Sequence, residues 1–118
     1  MTIPFKLHNI VKRYQEREVL SIERLEIPAG EINAILGPNG SGKTTLLRIM
    51  ALLLVNDEGR LEVLGEKLNW SKGQILRLRR QMSMVTQTSY MFQGSVYYNV
   101  AYGLRQRKVS ESGIKRSV

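Results

Sequence analysis

Ile32-Asn33-Ala34-Ile35-Leu36-Gly37-Pro38-Asn39-Gly40-Ser41-Gly42-Lys43-Thr44-Thr45-Leu46-Leu47 reads as an apolar strand, a glycine-rich turn and the start of a helix. Gly37 to Thr44 match G-x-x-x-x-G-K-[ST] in full, with a strand before and a helix after, the context this motif requires. The spacing turns backbone N–H groups inward, so that a polyphosphate is surrounded by donors at the positive end of a helix. Gly37, Pro38, Asn39, Gly40, Ser41 and Gly42 are the candidate cradle, and the glycines at 40 and 42 permit the wrap. Lys43 places a cation on the β/γ-phosphates, Thr44 offers a hydroxyl to a Mg²⁺ ion, and Thr45 can donate toward the α-phosphate.

The 118 residues make one domain or part of one, and 42% hydrophobic with 24% charged residues is an ordinary globular composition. The absence of cysteine excludes disulfides and thiolate metal sites and is compatible with a reducing cytosol. The longest apolar run, Ile49 to Val55, has seven residues, far short of the ~20 that span a bilayer. Nothing in Met1 to Ile10 resembles a signal peptide. A net charge of +8 raises nucleic acid or anionic lipid as partners. The basic residues are dispersed, however, and the clusters Arg77-Leu78-Arg79-Arg80 and Arg105-Gln106-Arg107-Lys108 carry no interleaved aromatics, so direct nucleic-acid binding is not expected.

Alternation of Phe5, Leu7, Asn9 and Val11 with Lys6, His8, Ile10 and Lys12 predicts a strand over Pro4 to Val11. Val19 to Ile27 predicts a second, with Leu20, Ile22 and Leu25 inward, and Pro28-Ala29-Gly30 turns the chain into the strand Ile32 to Leu36. These three are expected to be antiparallel and parallel neighbours. Leu46, Leu47, Ile49, Met50, Leu53 and Leu54 form the stripe of a helix from Lys43 to about Val55. A turn at Asn56-Asp57-Glu58-Gly59, a strand from Arg60 to Leu64, a helix from Gly73 to Arg80 and a short strand from Met82 to Thr86 follow. Gln87 to Gly94 is a loop, Ser95 is placed to cap a helix from Val96 to Leu104, and Ser110 to cap one more. Leu52 to Glu58 superficially resembles an apolar strand ending in a catalytic acidic pair. It begins inside the helix that the loop opens, so it reads instead as a helix end and a polar turn. Tyr97, Tyr98 and Tyr102 read as packing residues rather than as a stacking platform.

The loop from Gly37 to Leu47 resembles the Walker A segment of ABC-type ATPases, where G-P-N-G-S-G-K-[ST]-T is frequent. Tyr14 is similar in position to the family's adenine-stacking aromatic, and Met84-Val85-Thr86-Gln87 to the strand entering its Q-loop. By resemblance Gln87 would touch Mg²⁺ and the attacking water and couple the site to a transporter. Asp57-x-Gly59 followed by Leu61, Val63 and Gly65 fits the turn and strand between the two motifs. The segment Tyr90 to Leu104 is similar to importer-type members, notably those serving tungstate, molybdate or phosphate. The L-S-G-G-Q signature, the Walker B strand with its glutamate, the D-loop and the switch histidine are not in the sequence; His8, the sole histidine, precedes the loop.

The resemblance therefore implies that residues 1–118 are the N-terminal part of an ABC nucleotide-binding domain: an α/β phosphate-loop NTPase core with an N-terminal antiparallel β portion, ending before the helical subdomain is complete. It implies ATP and Mg²⁺ as ligands, membrane permease subunits and a second nucleotide-binding subunit as partners, and a place on the cytoplasmic face of a membrane. Two alternatives remain open: a nucleotide-binding fragment without catalysis, and a soluble ABC ATPase of DNA repair or translation. Against the latter stands the compact spacing from Lys43 to Gln87.

Overall fold

The computed structural model describes residues 3–87 and 91–117, and the chain divides into two units, the first running to Met84 and the second beginning at Val85. In the first unit, β1 (Phe5–Tyr14), β2 (Arg17–Ile27), β3 (Glu58–Val63) and β4 (Glu66–Lys67) make one antiparallel sheet in the order β2-β1-β3-β4. β1 and β2 are longer than their alternation predicts and meet at a two-residue turn, Gln15-Glu16, with Tyr14 directly opposite Arg17. Both turn residues have positive φ, 49° and 66°, the twist that matches a tight hairpin although neither is a glycine or asparagine.

The expected alternation along β1 breaks at Asn9. Its φ of 51° accompanies a shift of register against β3 between His8 and Val11, which turns Asn9 outward and brings Ile10 beside Leu7 in the core. Asparagine tolerates the left-handed conformation because its short polar side chain finds local partners there. Leu7, Ile10, Leu20, Leu61 and Val63 of the sheet are buried with Leu46, Ile49 and Met50 of α1 (Lys43–Met50), with Leu52, and with Leu78 of α2 (Lys72–Arg79). α1 ends one turn earlier than its apolar stripe suggests. Leu52 takes a φ of 61°, Leu53 N–H donates to the Arg48 carbonyl at 2.9 Å, and the Leu52 side chain drops into the core, only 4% exposed.

Two expected strands do not form. Ile32 to Leu36 is irregular and outside the sheet, with Ile32 and Leu36 fully open to solvent and Ile35 alone touching the core. Met82 to Thr86 is likewise without strand structure, and Val85 is 90% exposed. A continuous apolar run reads as a strand buried on both faces, which needs a neighbour on each side. Among the described residues neither run has a ladder partner.

The second unit holds α3 (Val96–Gln106) and α4 (Glu111–Ser117). Ser95 caps α3 as expected, its Oγ accepting from Tyr98 N–H at 3.0 Å, and Ser110 Oγ accepts from Gly113 N–H at 3.2 Å at the start of α4. Tyr98 and Tyr102, four residues apart, share a face and pack with Phe92 at centroid distances of 6.2, 6.4 and 4.3 Å. They are packing residues, as the sequence suggests. Tyr97 lies apart from them, with the Arg105 guanidinium 5.7 Å from its ring centroid.

Candidate functional site

The turn between Gly37 and α1 is held by its own backbone and by Lys43. Ser41 N–H donates to the Pro38 carbonyl at 3.2 Å, and the Lys43 ammonium donates to the carbonyls of Gly37 and of Pro38, the latter at 3.2 Å. The cation is thus fixed over the loop whose amides it accompanies. Gly42 caps α1 with φ of 95°, and its carbonyl receives Leu46 N–H at 2.9 Å. A Cβ at Gly42 would lie 3.0 Å from both the Val19 carbonyl oxygen and a Leu20 methyl, so this glycine is needed for its angle and for the close approach of β2. Gly40, with φ of 85°, has open space around it and is required for its angle alone. No acidic residue stands in the first turn of α1, which leaves the positive end of the helix uncompensated beside the loop.

A concavity of ≈ 430 Å³ lies on this loop, lined by Pro38, Asn39, Gly40, Ser41, Gly42, Lys43, Thr44 and Thr45 and, from the β1–β2 hairpin, by Tyr14, Arg17 and Val19. The fold therefore brings Tyr14 to the loop from 23 residues away in sequence. Tyr14 is about half exposed and carries the Lys12 ammonium 5.3 Å from its ring centroid. The sequence reading missed Arg17 and Val19. Their signal was weak, because Gln15-Glu16 lacks the Asn-Gly chemistry that announces a tight hairpin and so hid the pairing of Tyr14 with Arg17.

The acidic pair rejected as a catalytic motif is engaged elsewhere. Asp57 accepts from the Arg13 backbone N–H at 2.6 Å and lies 3.7 Å from the Lys12 ammonium, while Glu58 accepts from the Arg13 guanidinium. The Arg13 amide, then the neighbouring cations, hold the Asp57 carboxyl below its ordinary range; Glu58 in turn raises Arg13. Among the described residues no group of three His, Asp or Glu side chains could hold a metal ion.

Gln87 belongs to the second unit, where it is exposed in a bend after the irregular segment 82–86. Tyr90 lies outside the described residues. Beyond it, Asn99 straps the loop to α3: its Oδ1 accepts from Phe92 N–H at 2.7 Å, and its amide donates to the carbonyls of Phe92 and Ser95 at 3.1 and 3.0 Å. Met91 is 70% exposed and Phe92 53% exposed.

A glycine-rich loop closed by a lysine, opening a helix and walled by a β-hairpin, defines a phosphate-loop protein of α/β class. The family model of the ABC transporter matches residues 20–116, and the chain belongs to that family. It is 39% identical over 113 residues to the sulfate/thiosulfate import ATP-binding protein CysA of Mesostigma viride, covering 95% of this chain and 31% of that protein. It is 34% identical over 110 residues to the tungstate uptake system ATP-binding protein TupC of Peptoclostridium acidaminophilum, covering 93% and 48%. Among solved structures it resembles CbiO1 of Clostridium perfringens, part of the ABC transporter complex CbiONQ, with a TM-score of 0.86 at 28% identity over 98% of this chain and 47% of that one. The chain thus spans less than half the length of each of these relatives. No described helix is long and apolar enough to cross a membrane.

Proposed function

We propose that the chain binds Mg-ATP at the loop from Gly37 to Thr45 and contributes this site to an ABC transporter of the importer type. The observation that carries the reading is the shared concavity, in which Tyr14 faces the loop that holds Lys43. Its donors fit a nucleotide triphosphate: loop amides, one lysine and an uncompensated helix N-terminus for the phosphates, and an aromatic ring at the other wall for a base. Thr44 is the loop's hydroxyl for Mg²⁺, and Gln87 is the second candidate by family resemblance. A bound metal would neutralise charge between the β- and γ-phosphates. Relatives named as sulfate/thiosulfate and tungstate importers support an oxyanion system, with permease subunits and a second nucleotide-binding subunit as partners and the cytoplasmic membrane face as location. The exposed pair Met91 and Phe92, held in a built turn by Asn99, is the proposed permease contact.

A second reading, nucleotide binding without hydrolysis by residues 1–118 alone, is favoured by the engagement of Asp57 and Glu58 with Lys12 and Arg13. Calorimetric titration of the folded chain with Mg-ATP should show binding that Lys43→Ala weakens by roughly tenfold or more, because charge-assisted hydrogen bonds are worth on the order of 1.5–3 kcal/mol. Equal affinity of both proteins would remove the assignment. Phosphate release indistinguishable from that of Lys43→Ala supports the second reading, and turnover lost in Lys43→Ala overturns it.

A further inference from the structure

The polar face of the sheet carries two adjacent cross-strand rows with opposite charge logic. In the first, Glu26, Lys6, Glu62 and Lys67 follow one another across β2, β1, β3 and β4, so each charge faces an opposite one. In the second, Arg24, His8 and Arg60 stand side by side across β2, β1 and β3 with no carboxylate among them. Arg24 and Arg60 thus flank the His8 imidazole with no carboxylate directly opposite either of them, unlike the alternating row beside it. Arg24 also reaches along its own strand to Glu26 at 2.9 Å, and its side chain stays 71% exposed beside the exposed His8 and Arg60. All seven side chains line one concavity of ≈ 460 Å³, in which four cations outnumber two carboxylates.

We propose that this face is a binding site for a phosphate-bearing anion, distinct from the nucleotide loop. The phosphate group sits on the Arg24-His8-Arg60 row. Arg60 and Arg24 present planar donor forks suited to two of its oxygens, and the His8 imidazole donates between them. The bound dianion supplies the negative charge that this row itself lacks. A volume of this size exceeds what phosphate alone requires and leaves room for an organic group along the alternating row toward Leu68. The ligand class is a phosphomonoester, drawn either from a soluble metabolite or from a lipid headgroup. The site does not depend on the nucleotide assignment, since it shares no lining residue with the loop.

The test uses the whole chain carrying Lys43→Ala, so that the loop's own phosphate affinity is suppressed. Inorganic phosphate and glycerol phosphate are titrated while amide resonances of 6–8, 24–26 and 60–62 are followed. Vesicles of phosphatidylcholine with phosphatidic acid form the lipid arm. Saturable shifts on this face are expected, weakened about tenfold by loss of one charge-assisted pair in Arg60→Gln and tightened by Glu62→Gln, which removes a neighbouring negative charge. Retention on phosphatidic acid vesicles that Arg60→Gln abolishes assigns the lipid source, and shifts with soluble ligands alone assign the metabolite. No saturable shift in any arm, or shifts indifferent to both substitutions, overturns the proposal.

Discussion

The antiparallel sheet and the run from Ile32 to Leu36 are both written in strand-forming residues, yet one buries Leu7, Ile10, Leu61 and Val63 and the other leaves Ile32 and Leu36 in solvent. The difference lies in where each finds its partners. β1 meets β2 across a two-residue turn and β3 meets β4 across Leu64-Gly65, so most of the ladder closes locally at small entropic cost. An apolar run without alternation asks for neighbours on both sides, and no short turn supplies them. Apolar character therefore specifies a strand only together with its partners.

The contrast makes a large difference in stability the first expectation. Ile10→Ala removes a fully buried side chain between the sheet and α1, and should lower unfolding stability by about 2–5 kcal/mol. Ile32→Ala, at a fully exposed position, should change it by no more than ~0.5 kcal/mol. Urea denaturation of both variants measures the gap. A loss at Ile32 comparable to that at Ile10 would mean that the run is packed in solution and would erase the distinction.

The same contrast explains what could be read from the sequence. The loop was legible because its geometry is local: eight residues fix the turn, the lysine and the helix start, and Gly42 shows the clash and the angle that demand a glycine. The caps at Ser95 and Ser110 were legible for the same reason. What was lost depended on distant pairing or on single backbone angles. Asn9 at positive φ moved Ile10 inward against the simple alternation, Leu52 at positive φ ended α1 early, and the apolar runs 32–36 and 82–86 required neighbours that their own residues do not name. Tyr14 could be placed beside the loop only by resemblance, and Arg17 not at all, because the turn joining them lacks its usual residues.

That turn gives the intermediate effect. Gln15 and Glu16 both hold positive φ, a conformation that costs an ordinary L-residue about 1–2 kcal/mol and glycine almost nothing. Replacing them with Asn-Gly should stabilise the sheet by roughly 1 kcal/mol, since asparagine and glycine are the residues that a tight hairpin prefers. The gain should appear as slower hydrogen exchange along β1 and β2 and leave the amides of 32–36 unchanged. Destabilisation by the same replacement would show that the native pair makes contacts worth more than its strain, and that the hairpin is less self-sufficient than its register implies.

Acid should separate the two regions by the smallest margin. Three carboxyls are held below their ordinary range, and all three lie in or beside the sheet: Asp57 by the Arg13 amide, Glu66 by the Arg77 guanidinium and Glu26 by the Arg24 guanidinium. A carboxyl whose folded pKa is depressed binds fewer protons in the native than in the unfolded state. Its contribution is complete above the unfolded value, near 4, and is lost as pH falls through the folded one. Arg13 and Arg77, whose values are raised, stay protonated throughout that window and set no slope of their own. All of these groups are at least partly exposed, so salt should blunt the effect. Urea midpoints should fall on acidification from neutrality to about pH 3, the range in which carboxylates titrate, and Asp57→Asn should flatten the curve by removing the carboxyl that ties the end of β1 to the start of β3. Protection of the 32–36 amides, which have no such pair, should not follow the curve. A pH profile unchanged in Asp57→Asn would mean that this contact contributes nothing to the pairing of β1 with β3, and that the sheet holds its register by burial and backbone bonds alone.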